Sequence, residues 1–373
     1  MKGGDLMLIV RSPVRISFGG GGTDLPAYYE RYGGAVLSTA INKYFYTILT
    51  KRSDDKIQVI SSDLRIIETW EDIPGMKAVG APLSIPLAVM KYLAIQTPLN
   101  LFLASEIPPG TGLGSSASVC VNILKALAVY TQLPITKQDL AEKAFHITHD
   151  VLGMGVGKQD EYAAAYGGLN YISFNPDGST MVDPLELPID VLRELQNNLM
   201  LFFTGASHNS WTILKAQEEA TRQSLGGAMD SLHQIRLLAD KMRTALLAGS
   251  LQEFGCLLDE GWNAKRRVSD KISDSRIDHL YETACQNGAL GGKITGAGGG
   301  GFLLLYCEKD YQQKVRDALG REGLHELVFE FDYQGARVLV NDPFLDGDGR
   351  CGLRWTLSLC DGESARPVGR STF

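Results

Sequence analysis

Pro108-Pro-Gly-Thr-Gly-Leu-Gly-Ser-Ser-Ala-Ser118 is the stretch around which the rest of the chain is organised. Leu99–Ala104 before it reads as a strand, and the apolar residues after it recur at helical spacing from Ser115 to Thr131. Glycines in such a loop let N–H groups approach a ligand closely. The helix that follows presents unsatisfied N–H donors and the positive end of its dipole. Ser115 and Ser116 add hydroxyls, as donors or as a magnesium ligand. The combination describes a cradle for phosphate, against the plainer alternative of a loop that only turns the chain. The Gly-Lys-Ser/Thr ending of a P-loop is missing. So is the Gly-x-Gly-x-x-Gly run with an acidic ribose ligand, which argues against a dinucleotide fold.

Two other glycine clusters flank this one. Gly291-Gly-Lys-Ile-Thr-Gly-Ala-Gly-Gly-Gly-Gly301 runs into the apolar strand Phe302–Cys307. So many glycines carry a large backbone entropy cost, which a tight hairpin does not require. A second backbone or a ligand coming close explains them better. Near the N-terminus, Arg15-Ile-Ser-Phe-Gly-Gly-Gly-Gly-Thr-Asp24-Leu-Pro26 puts a cation and a carboxylate around a flexible loop. Asp24 suits either of two roles: binding sugar hydroxyls, or capping a helix over Leu25–Tyr32 with Pro26 in its first turn.

The first half alternates strand-like and helix-like segments. Ala35–Thr50 and Lys56–Ser61 read as strands, Ser84–Gln96, Thr136–Leu152 and Asp160–Tyr166 as helices, and Leu169–Phe174 as a strand. Residues 176–196 thin into Pro, Asp and Gly, which suits a domain boundary. Leu199–Thr204 is a buried strand, helices dominate 211–287, and two late strands end at Val340. This divides the chain into 1–190, 191–343 and a tail, 344–373, without clear periodicity.

Composition narrows the function. With 36 Lys and Arg against 43 Asp and Glu, the net charge of −7 argues against nucleic-acid binding through bulk charge. No apolar run reaches the ~18 residues of a membrane span, and MKGGDLMLIV lacks the apolar stretch of a secretory leader. Six scattered cysteines without a Cys-x-x-Cys pair read as reduced thiols of a cytoplasmic protein. His146 and His149 stand three apart without a Glu pair, which is a poor zinc pattern.

The three glycine segments, in this order and at these distances, resemble the three motifs of the GHMP kinases across residues 8–342. Gly157-Lys-Gln-Asp-Glu-Tyr-Ala-Ala-Ala-Tyr-Gly-Gly168, Trp262-Asn-Ala-Lys-Arg266, Ile272-Ser and Ile277-Asp point within it to the branch acting on heptose 7-phosphate. The resemblance implies an α+β, two-domain fold, N-terminal ribosomal protein S5 domain 2-like and C-terminal ferredoxin-like, with the active site between. It implies ATP-dependent phosphorylation of a sugar phosphate at its anomeric hydroxyl, with Mg²⁺.

Roles follow from it residue by residue. Pro108, Gly110, Gly112, Leu113, Gly114, Ser115, Ser116 and Ala117 would wrap the ATP phosphates, and Ser116 or Ser115 would hold Mg²⁺. Asp160 would be the general base, oriented by Arg15; on local sequence alone it reads rather as the N-cap of a Glu161–Tyr166 helix. Gly20, Gly21, Gly22, Thr23 and Asp24 would bind the sugar, and Gly298 and Gly299 would wall the cleft. The distal phosphate needs cations, with Lys43, Arg52, Lys158, Lys265, Arg266 and Arg267 as candidates. Two positions depart from the pattern. Thr148 stands where relatives tend to carry a metal-binding Glu, leaving Asp150 or a water to take over, or a small shift of register. His208 stands where an Arg is common. A kinase for an unphosphorylated sugar, a non-catalytic sensor of the same fold, and an isoprenoid kinase using Tyr44-Phe45-Tyr46 are the alternatives. No nucleic acid or membrane partner is implied, and the oligomer would be a monomer or homodimer.

Overall fold

The structure is a computed structural model and describes residues 7–71, 79–205, 227–269 and 271–342. His208 and the tail 344–373 lie outside these residues. Two sheets carry the architecture. The first is built on two long strands, β1 (Met7–Gly19) and β2 (Gly34–Lys51), paired antiparallel from Met7↔Thr50 to Gly19↔Leu37. β1 is one continuous strand, bent where the register slips at Pro13/Val14 and again before Gly19. A bulge increases local twist and bends the strand, and these lie beside Arg15 and the first glycine cluster.

β2 is long enough to serve two partners on its other side. Its first half pairs with β6 (Leu169–Phe174), which continues to β7 (Thr180–Pro184). Its second half pairs with β5 (Leu99–Ser105), beyond which lie β3 (Ile57–Ser61) and β4 (Ile66–Trp70). Helices α1 (Pro26–Tyr32), α2 (Ser84–Tyr92), α3 (Ser115–Tyr130), α4 (Lys137–Phe145) and α5 (Gln159–Tyr166) accompany this sheet. α3 is apolar on most of its circumference and packs inside. Ser12 Oγ lies 2.8 Å from both the carbonyl and the hydroxyl of Ser118, and Asn122 Nδ2 donates to Phe45 O at 3.0 Å. Those bonds fix the end of the helix that meets the glycine loop.

The segment expected as one helix over Thr136–Leu152 is α4 followed by a π-helical turn, His146–Val151. One-turn π segments shift side-chain phase within a helix. Here Thr148 is turned inward, 1% exposed, while Asp150 is exposed and His149, half-buried, stacks on Phe145.

The second sheet has the order β11-β8-β10-β9, all antiparallel: β8 (Leu199–Phe203), β9 (Ala289–Ile294), β10 (Phe302–Cys307) and β11 (His325–Glu326). In chain order this is 4-1-3-2, the ferredoxin-like arrangement. Helix α6 (Ile189–Asn198) leads into it; α7 (Ala228–Leu247), α8 (Leu251–Arg266), α9 (Ser275–Gln286) and α10 (Lys309–Arg321) pack with it. The presumed boundary at 176–196 is not a linker, because β7 and α6 occupy most of it. The last strand, β12 (Arg337–Asp342), counted with the second domain on sequence, returns to pair along β1 of the first sheet. One core cluster joins Val14, Ile16 and Phe18 of β1 to Leu201, Phe254 and Trp262 of the second unit. No helix among the described residues is long and apolar enough to cross a membrane.

Candidate active site

The three glycine segments converge on one cleft. The wall from the central loop is Gly110, Gly112, Gly114, Ser115, Ser116 and Ala117. Gly112 and Gly114 have φ of +80° and +78°. Gly114 ends the loop in the left-handed conformation directly before α3, whose first turn has neither an acidic residue nor a side-chain cap. The helix N-terminus therefore keeps its donors for a ligand. Leu113 is fully buried and contributes its carbonyl, which accepts from Arg15 N at 2.9 Å. Pro108 lies outside the cleft lining, its carbonyl accepting from Thr111 Oγ1 at 3.0 Å.

The glycines near 291–301 bring a second backbone against this loop. A Cβ on Gly112 would stand 2.4 Å from Thr295 O, and one on Gly296 would stand 2.6 Å from Gly112 Cα. Gly296 and Ala297 face the cleft, whereas Gly298 and Gly299 pack on Ile272, whose carbonyl accepts from Gly299 N at 2.8 Å. The wall thus comes from residues two positions earlier than the sequence suggested.

Arg15 and Asp160 are the central pair. Arg15 Nε and Nη2 both reach Asp160 Oδ1, at 2.7 and 2.6 Å, and Nη1 donates to Gly112 O at 2.7 Å. Asp160 Oδ2 receives no hydrogen bond from the described residues. Burial raises the Asp160 pKa above the ordinary carboxylate value, opposed mainly by Arg15. Asp160 is not an N-cap: α5 begins at Gln159 with Lys158 in the cap position and no capping side chain.

Asp24 does not cap α1 either, since Leu25 holds that place. Its Oδ1 accepts from Gly22 N at 2.8 Å and its Oδ2 from Gln159 Nε2 at 2.9 Å, which ties the N-terminal loop to α5. Gly21, Gly22 and Asp24 line the cleft. Gly20 and Thr23 are structural: Thr23 Oγ1 lies 2.8 Å from Gly20 O, and a Cβ on Gly20 would overlap Ala35 O.

Of the candidate cations, the structure brings Lys265 to the cleft and leaves five elsewhere. Lys265 Nζ donates to Gly296 O at 3.0 Å, and burial lowers its pKa to about 8. Arg266 turns away to Asp278 and Asn263, and Arg267 to Gln234. Lys158 Nζ donates to Gly178 O at 2.7 Å and pairs with Glu142, so only its neighbours Gly157 and Gln159 line the cleft. Arg52 pairs with Asp54, and Lys43 is not among the cleft residues. Sequence reasoning missed Lys293, whose Nζ lies 3.4 Å from Phe18 O and whose pKa burial pushes well below that of a free amine. The available signal was a lone charge inside the third glycine segment.

Glu161 was also missed. It is 1% exposed, lines the cleft, and accepts from Thr148 Oγ1 at 2.8 Å. Burial, then the nearby Asp160 charge, pushes its pKa up to about 8. Asp150, the substitute ligand suggested by sequence, is outside this cleft and bonds His146 and His149, each at 2.7 Å. Tyr44, Phe45 and Tyr46 are strand-packing residues, with Tyr44 and Tyr46 bonded to Asp332 and Glu106.

Comparison with known proteins fits this geometry. The family models "GHMP kinases N terminal domain" and "GHMP kinases C terminal" match residues 84–168 and 242–325. The chain is 30% identical over 334 residues to the D-glycero-alpha-D-manno-heptose 7-phosphate kinase of Campylobacter jejuni, covering 88% of this chain and 97% of that protein. A galactokinase of Pyrococcus furiosus is 26% identical over 87% of this chain and 96% of its own length. Among solved structures, a D-glycero-D-manno-heptose 1-phosphate kinase from Bacteriodes thetaiotaomicron superposes with a TM-score of 0.74 at 27% identity, over 89% of this chain and 99% of that one. With its three glycine segments meeting at one cleft and this agreement along nearly its whole length, the chain belongs to the GHMP kinase family.

Proposed function

We propose that this protein is an ATP-dependent sugar-phosphate 1-kinase, acting on D-glycero-D-manno-heptose 7-phosphate to give the 1,7-bisphosphate. The observation that carries the chemistry is the Arg15–Asp160 pair at the mouth of the glycine loop, with Asp160 Oδ2 left unbonded by the described residues. In the transfer, the anomeric oxygen bonds to the γ-phosphorus as the bond from that phosphorus to the β–γ bridging oxygen breaks. ADP leaves, and the anomeric proton passes to Asp160 Oδ2. Arg15 fixes the carboxylate and places positive charge beside the reacting oxygens. Phosphoryl transfer depends mostly on positioning and charge stabilisation, and an anomeric hydroxyl is more acidic than an ordinary alcohol, so a modest base suffices.

Ser115 and Ser116 suit a magnesium ion. Ser115 Oγ is buried without a hydrogen-bond partner at the foot of α3, and both serines line the cleft. A hydroxyl beside nucleotide phosphates is a hard-oxygen donor set of the kind Mg²⁺ takes. Bound there, the ion would neutralise phosphate charge.

The substrate's own phosphate is supported by Lys265 and Lys293, two buried amines lining the same cleft. Desolvated cations are costly unless a counter-charge arrives, and the acid whose charge favours both ammonium groups is Asp24, already hydrogen-bonded through both oxygens. The test compares kcat/KM for heptose 7-phosphate with that for the same heptose lacking the phosphate, for galactose and for fucose. Wild-type protein should prefer the phosphorylated sugar by about a hundredfold, with Lys265→Met and Lys293→Met each cutting that preference about tenfold. Preference for an unphosphorylated sugar would discard the distal-phosphate site and leave a free-sugar kinase.

A further inference from the structure

We propose that Glu161 is the protein's carboxylate ligand for the divalent metal that accompanies the nucleotide, delivered from α5 because the position facing it carries Thr148. The assignment rests on the kinase function proposed above. Three carboxylates line the cleft: Asp24, Asp160 and Glu161. Asp24 uses both oxygens in hydrogen bonds, and Asp160 is paired with Arg15. Glu161 has no cationic partner among the described residues. Its Oε1 is held by the Thr148 hydroxyl, while its Oε2 is buried and unpartnered.

A carboxylate buried without a counter-charge is expensive, and Asp160 next to it in sequence adds repulsion. The π-helical turn meets Glu161 with the Thr148 hydroxyl, and the start of α3 adds Ser115 and Ser116 to the lining of the same cleft. Arg15, Lys265 and Lys293 line the same cleft, but none of them pairs with Glu161, so its charge is left for a bound cation to balance. Ser17 Oγ, Gln159 Oε1 and Ser115 Oγ also line the cleft buried and without a partner among the described residues, and of these Ser115, at the start of α3, stands where the nucleotide phosphates would lie. One carboxylate, one hydroxyl and phosphate oxygens form a set that Mg²⁺ or Mn²⁺ prefers over softer metals. Thr148 then acts as a positioning residue: its hydroxyl fixes one carboxylate oxygen and leaves the other for the metal.

The experiment is Mn²⁺ binding to the full chain, followed by electron paramagnetic resonance with the non-hydrolysable nucleotide AMP-PNP, alongside metal-free AMP-PNP binding by calorimetry. Glu161→Gln should weaken Mn²⁺ in the ternary complex about tenfold or more while leaving metal-free nucleotide affinity within about twofold. The double variant Thr148→Glu with Glu161→Gln moves the carboxylate to the other end of the same hydrogen bond, and should restore Mn²⁺ affinity to within about threefold of wild type. Mn²⁺ affinity unchanged in Glu161→Gln would overturn the assignment and make Glu161 a structural acceptor. Should that variant fail to fold, Glu161→Asp takes its place, and wild-type Mn²⁺ affinity in it overturns the assignment equally. Wild-type protein that binds no nucleotide, with or without metal, would bring down the kinase function itself.

Discussion

Asp160 gives one oxygen to Arg15, and the other, without a partner among the described residues, is the one proposed to take the anomeric proton. Asp160→Asn preserves shape but removes the proton acceptor, so turnover should fall about a hundredfold or more with little change in KM for ATP. A loss of only about threefold in steady-state ADP release would remove Asp160 from the chemistry. Lys265, proposed to bind the substrate's phosphate, should set the alkaline side of the pH profile. Its pKa is lowered to about 8, so the amine is charged below that pH and loses its proton above it. For a phosphorylated substrate kcat/KM should therefore decline above pH 8, and Lys265→Met should flatten that limb while lowering activity throughout. The same variant removes a buried charge from the unliganded protein. At pH 7 its thermal midpoint should rise by about 2–4 °C, provided the lost bond to Gly296 O costs less than the desolvation. An unchanged or lower midpoint would mean that Lys265 is already well compensated in the free protein.

At the scale of elements, the close approach of two glycine-bearing backbones sets the geometry. Gly112→Ala puts a Cβ against Thr295 O at a residue with φ of +80°, and should cost about 2 kcal/mol while raising the KM for ATP severalfold. A denaturation midpoint and ATP KM both matching wild type would show that the contact is dispensable. The sequence announced this contact, because so dense a run of glycine around 291–301 has few other physical explanations. It also located the loop and α3, which lie in local motifs, whereas Arg15 and Asp160 were brought together only by the resemblance to the GHMP kinases. The π-helical turn was not legible: periodicity over Thr136–Leu152 is nearly the same for an α-helix with one inserted residue, yet that insertion decides that Thr148, not Asp150, faces inward. Lys293 and Glu161 were hidden for a related reason. Their roles depend on burial by elements distant in sequence, and a charged residue in a short motif looks like any solvated charge until the opposing wall is known. Arg266 shows the converse, a motif cation drawn off by Asp278 from a different helix.

Across the whole molecule, the two sheets are not independent units. β12 closes onto β1, and the core cluster that includes Val14, Ile16 and Phe18 also includes Leu201, Phe254 and Trp262. The full chain should unfold in one calorimetric transition, with van't Hoff and calorimetric enthalpies agreeing; two separated transitions would show that the halves fold separately. This shared core supports the cleft from both sides, which keeps Arg15, Asp160, Lys265 and the glycine loop in register for transfer between two anionic substrates. The proposed transfer requires the sugar's existing phosphate at position 7, leaving the anomeric hydroxyl free to react. The direct test is ³¹P nuclear magnetic resonance of the product formed from ATP, Mg²⁺ and heptose 7-phosphate. The account predicts a new sugar phosphate coupled to the anomeric proton, with the original 7-phosphate retained. No turnover of heptose 7-phosphate, or a new phosphate on a carbon other than the anomeric one, would contradict it.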